Sequence, residues 1–230
     1  MSKDKSESVA ALDELQSQLR SFFQPLAFRR HGRTYNQLTG DGLTAVIHFQ
    51  SGAFDPPGTL EIPGLRENLY GRFTINLGIY VPEVAAVETM NAARAARIIH
   101  EYQCCLRTRL GHIGPEHRDL WWPARPLPEL AEEIRARLES NALPFLRRFE
   151  SRDAILSELR HSVESPYTPK PRIVCAIILA KRGRQAEARE LLQAQADEAE
   201  SRNPGHAAYV RQLAERLGLG GLGNVDISLG

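Results

Sequence analysis

Arg72-Phe-Thr-Ile-Asn-Leu-Gly-Ile-Tyr-Val81 is the stretch whose reading decides the fold. Phe73, Ile75, Leu77, Ile79 and Val81 alternate with Thr74, Asn76, Gly78 and Tyr80, and a period of two puts the two sets on opposite faces of a strand. Pro82 stops it, having no N–H to give to a ladder. Upstream, Leu43-Thr-Ala-Val-Ile-His-Phe-Gln50 repeats the pattern. Leu43, Ala45, Ile47 and Phe49 share one face; Thr44, Val46, His48 and Gln50 share the other. Gly40-Asp41-Gly42 joins this run to Tyr35-Asn-Gln-Leu38 as a hairpin loop. Downstream, Tyr102 to Leu110 sets Tyr102, Cys104, Leu106 and Leu110 opposite Gln103, Cys105, Arg107 and Arg109. Strands with one apolar and one polar face predict an antiparallel sheet covered on one side only.

Around these strands the period changes to that of helices. Leu12, Leu15, Leu19, Phe22 and Phe23 recur at three- and four-residue spacing, which predicts an amphipathic helix ended by Pro25. The alanine-rich segment from Pro82 to His100 is read as helical. Leu127, Leu130, Ile134, Leu138 and Ala142 mark a further helix that Pro144 interrupts, and Ser151 is an N-cap for a short one ending near His161. Pro171 opens another helix, Gly183 turns the chain, Ala186 to Ala199 runs back, and His206 to Leu217 closes the group.

The class is therefore α+β: a mostly antiparallel sheet of about four strands with helices on one face, then a C-terminal helical hairpin plus a capping helix. Residues 1–8 are expected to form a disordered lead, 9–163 the α+β domain, 164–171 a connector, 172–217 the helical extension and 218–230 a flexible glycine-rich tail. The hairpin has the small residues of a tetratricopeptide-like unit without its tryptophan and tyrosine, and one such unit needs a surface to dock on.

Twenty-nine basic residues against 28 acidic ones leave a net charge of +1. That balance supplies no bulk attraction for nucleic acid. No run is long and apolar enough to span a bilayer, and no secretory signal stands at the start. The three cysteines, Cys104, Cys105 and Cys175, make no disulfide framework. The expected location is cytoplasmic. His100, Cys104, Cys105, His112 and His117 lack metal-ligand spacing, so no metal and no cofactor are expected.

Leu26-Ala-Phe28-Arg-Arg-His-Gly32-Arg-Thr-Tyr35, Ile47-His-Phe-Gln50, Pro63-Gly-Leu-Arg-Glu-Asn68, Phe73 to Tyr80 and Trp121-Trp122 together resemble the bacterial domain of unknown function 4304 family. The resemblance spans roughly residues 10–155, with Ala27 where that pattern would carry glycine. It implies a small α+β domain with no established reaction. Its association with toxin and interbacterial-competition systems implies an immunity or binding role.

Two arginines beside amide and phenol groups can clamp a carboxylate or phosphate. His48, Asn76, Tyr80, Arg107 and Arg109 are thus candidate binding residues on the polar sheet face, where the plainer reading is a wet outer surface. Arg66 and Asn68 lie in a proline- and glycine-framed loop and bind a partner or merely shape the turn. Trp121 and Trp122 offer a partner hot spot, or plug the core. No catalytic residue is assigned. The first functional reading is a non-enzymatic cytosolic protein-binding module, immunity-like (toxin-neutralising) or adaptor, whose partner is another protein such as a toxin or effector, or a second copy in a homodimer. The alternative is a small-anion binder or enzyme on the polar sheet face. A weaker alternative is nucleic-acid binding through Phe28 to Tyr35, where arginines and aromatics interleave.

Overall fold

The computed structural model describes residues 7–52, 60, 62, 68–88 and 98–223. It divides into two compact units: residues 1–80 with 96–150, and residues 81–95 with 151–230.

The first unit is built on a six-stranded antiparallel sheet, larger than the four strands expected. Strands β1 (Arg29–His31), β2 (Thr34–Leu38), β3 (Thr44–Ser51), β4 (Arg72–Tyr80) and β5 (Leu106–Arg109) are neighbours in that order. The short β6 (Trp122–Pro123) pairs with the start of β4. The long β3–β4 pair runs from Thr44 opposite Tyr80 to Ser51 opposite Phe73, so the two alternating runs present matching faces. Ala45, Ile47, Phe49, Phe73, Ile75, Leu77 and Ile79 are all buried. Each of the larger of these side chains contributes about 1.5–3 kcal/mol by leaving water.

Rings form a continuous run across this apolar face. Phe23 stacks on Tyr35 at 4.0 Å, Tyr35 meets Phe49 at 5.8 Å, Phe49 meets Phe73 at 6.2 Å, and Phe73 meets Trp122 at 5.8 Å. Helices α1 (Glu7–Gln18) and α2 (Arg20–Phe23), with Leu19 at the junction between them, bring Leu12, Leu15, Leu19 and Phe23 inward. The chain leaves α2 through Ala27, whose φ of 57° is left-handed. Glycine takes that conformation without the Cβ clash that alanine meets.

After β4 come α3 (Pro82–Glu88) and, beyond it, a 3₁₀ turn at Glu101–Gln103. The strand expected from Tyr102 to Leu110 is thus only β5; Leu110 already begins the short helix α4 (Leu110–Ile113). Local bonding explains this. His100 and Gln103 cap each other, with the His100 N–H donating to Gln103 Oε1 at 2.8 Å, and that closes a turn where alternation alone suggested a strand. Helix α5 (Leu130–Arg137) continues through a π-helical turn (Leu138–Ala142) into α6 (Leu143–Arg148). Pro144 sits in the first turn of α6, where its missing N–H costs little.

The second unit is helical. Helix α8 (Pro171–Lys181) is buried along its whole length from Ile173 to Ala180, and α3, α7 (Arg152–Leu159) and α9 (Gln185–Glu200) pack around it. A helix apolar all round needs such a sheath. Helix α10 (Pro204–Arg216) then packs on α9. Ser151 caps α7, accepting the Ala154 N–H at 3.1 Å, and Gly183 turns α8 into α9 with a φ of 76°. The boundary expected near residue 163 therefore falls at 150, because α7 belongs with α8. Helix α3 joins this unit as well, through a two-pronged ion pair of Arg152 with Glu83 (2.5 and 2.8 Å) and a Lys170–Glu88 bond at 2.9 Å.

Two terminal expectations change. Residues 7 and 8 already belong to α1. Residues 219–223 are held on α9, where Arg189 donates to the Leu219 and Gly221 carbonyls and Gln193 bonds both the N–H and the carbonyl of Gly223.

Candidate functional site

Residues that face one another across an antiparallel pair share a side of the sheet. The registers put Thr34, His48, Asn76 and Arg109 in one row, with Val46, Gly78 and Arg107 in the next and Thr44 with Tyr80 beyond. The expected grouping of His48, Asn76, Tyr80, Arg107 and Arg109 on one surface is therefore present, but most of these groups already have partners. His48 Nδ1 lies 2.9 Å from Thr34 Oγ1. Asn76 donates to Gln50 Oε1 at 2.7 Å and is nearly buried. Arg109 is ion-paired with Asp119 and lies over the Trp121 ring, whose indole N–H donates to the same Asp119 carboxylate at 3.0 Å.

This face is also not simply wet. Residues 98–104 fold over it. The Asn36 amide donates to the Ile99 carbonyl and accepts the Ile99 N–H, both at 2.9 Å, as a strand neighbour would. Beneath, Val46, Ile99 and Cys104 form a small buried cluster against Tyr80. Gly78 is what admits Cys104: a Cβ there would lie 2.6 Å from its sulfur. A glycine in mid-strand is the signal in the sequence for such a close approach.

The electrostatics follow from this cover. Burial lowers the His48 pKa, opposed by Glu101 and reinforced by His100 and Arg33, which favours the neutral ring. Burial raises the Tyr80 hydroxyl. It also pushes the Cys104 thiol well above its ordinary value, which suits a core thiol rather than a nucleophile. Among the described residues no group of three or more His, Cys, Asp and Glu side chains could hold a metal ion.

Two side chains rise from the cover and its flank into solvent. Tyr102 is 66% exposed, its ring parallel to that of His100 at 5.4 Å. Arg107 is exposed at the strand that follows. Tyr102, His100 and Asn36 are the residues sequence reasoning missed, because the turn at 101–103 reads as strand.

The remaining candidates divide. Trp122 belongs to the core, 7% exposed, with its indole N–H donating to Glu133 at 3.0 Å and the Arg137 guanidinium over its ring. Arg137 also grips Glu116 with two bonds, holding that carboxyl down at about 2. Trp121 is half-buried. Asn68 shapes a turn, accepting the Tyr70 N–H at 2.9 Å. Arg66 lies outside the described residues. In the Phe28–Tyr35 stretch both rings are turned inward, 8% and 2% exposed, away from any polymer lying on the surface.

No curated protein and no solved structure matches the chain. The model of DUF4304, a domain of unknown function, matches residues 65–148, a segment similar to that family from the approach to β4 through to the end of α6.

Proposed function

We propose that the chain is a non-enzymatic protein-binding module of the immunity-like (toxin-neutralising) or adaptor kind, acting in the cytoplasm. It meets its protein partner through the ridge made by His100, Tyr102 and Arg107. The observation that carries this reading is Tyr102, a large aromatic 66% exposed on a turn that is tied down at both ends. Tyrosine and arginine dominate binding hot spots, and a ring already fixed in place loses little entropy on docking. A small-anion clamp on the same face has less support, because Arg109 is already neutralised by Asp119.

The test is native mass spectrometry of the tagged full chain drawn from its own cytosol. One protein at fixed stoichiometry is expected. Tyr102→Ala and Arg107→Glu should each abolish that complex while circular dichroism stays unchanged. A complex indifferent to both substitutions, or a chain that emerges with no protein attached, would reject the ridge as the binding surface.

A further inference from the structure

On the opposite, helix-covered side of the sheet lies a cavity of about 460 Å³, lined by Gln16 of α1, Arg20 and Phe23 of α2, Phe28, Arg30 of β1 and Tyr35 of β2, among others. Its size is that of a small-molecule site. Two polar atoms in its wall are buried without a hydrogen-bond partner: the Gln16 amide nitrogen and the Tyr35 hydroxyl. Gln16 and Tyr35 are 0% and 2% exposed. Buried polar groups in folded proteins are nearly always paired, so two orphans in one wall need an explanation.

Their orientation is fixed by neighbours. Arg30 donates to Gln16 Oε1 at 3.1 Å, which leaves the NH₂ end of that amide as the free one. The same guanidinium donates to the Gly32 carbonyl at 2.9 Å. Burial raises the Tyr35 pKa, opposed by the Arg30 charge and by the Gln16 amide, which lies close without making a bond of good geometry. Arg20 stands exposed at the mouth. Arg30 also lies 3.9 Å from Asp13, which balances its charge, so the cation open to a ligand is Arg20; the wall offers donors besides, and its apolar part is made of flat rings.

We infer that this cavity binds a small planar aromatic anion. Its ring lies along Phe23 and Phe28. Its carboxylate or phosphate takes the charge of Arg20 and accepts from the two unpaired donors in the wall, the Tyr35 hydroxyl and the Gln16 amide. Charge-assisted bonds from such donors are the strong ones.

Titration calorimetry on the full chain tests this with indole-3-acetate as the carboxylate probe and adenosine monophosphate as the phosphate probe. Indole and adenosine are the neutral counterparts. One of the anions should bind at least about tenfold more tightly than its neutral counterpart, and which one binds identifies the anionic group. Arg20→Gln, an exposed change, should weaken that binding about tenfold. Tyr35→Phe should weaken it too while raising the melting temperature of the free protein, since it deletes a buried hydroxyl that has no partner. Absence of binding at millimolar concentration, equal binding of the neutral probes, or binding unaffected by both substitutions would overturn the inference.

Discussion

On the helix-covered side of the sheet, Tyr35, Phe49, Phe73 and Trp122 touch in succession across β2, β3, β4 and β6. On the other side Thr34, His48, Asn76 and Arg109 stand in a similar row, and their bonds are local and separate. The first arrangement is stabilised by area: what matters is that the volume stays filled. The second is stabilised pair by pair, so removing one member strands another. The same alternation that builds one face out of rings builds the other out of matched polar groups.

Four substitutions test that contrast. Phe49→Ala should cost the most, about 3–5 kcal/mol in urea unfolding, because it opens a hole in the middle of the ring run; a loss below about 1 kcal/mol would show that the rings are not the core. Asn36→Ala should cost about 1–3 kcal/mol by leaving the Ile99 N–H and carbonyl unpaired. It should also speed labelling of the Cys104 thiol, as the cover over Gly78 loosens. An unchanged labelling rate would mean that the cover is held by its apolar cluster alone.

The third concerns pH. The His48 pKa lies below the ordinary value of 6.5 in the folded state, mainly through burial. The unfolded chain therefore takes up a proton first. The contribution of His48 is complete above about 6.5 and is lost as pH falls through its folded value. Stability measured from pH 8 downward should fall below 6.5, and His48→Gln should flatten that fall. The smallest effect belongs to Asp119→Asn. Its pair with Arg109 is about one-third exposed on both sides, so the loss should stay within about 1 kcal/mol. Its clearest readout is a shift in Trp121 emission.

The β3 and β4 strands, their faces and the helical C-terminal group were legible because each rests on a long period: two for strands, about 3.6 for helices. What was not legible rests on single residues acting at a distance. The alternation from Tyr102 to Leu110 looks like strand over nine residues, yet the Gln103 side chain returning to the His100 N–H bends the first part into a turn. The polar face read as wet, since nothing local announces that Asn36 bonds Ile99 across 63 positions. Gly78 was a local hint. Ala27 gave another: the resemblance leads us to expect glycine there, and the backbone is left-handed. For the candidate site, the residues sharing the sheet face were readable, but Asp119 as the counter-ion of Arg109 was not, because short-range pattern carries no information on ion-pair partners.

The placement of α3 bears on how the protein is made. Helix α3 is synthesised midway through the chain, yet Val84 and Ala85 belong to the unit organised by α8. At ~5–20 residues per second, α3 waits roughly 4–16 s for α8, which follows about 80 residues later. During that interval its apolar side has no cover, and a chain cut short near residue 150 would be left with that side bare.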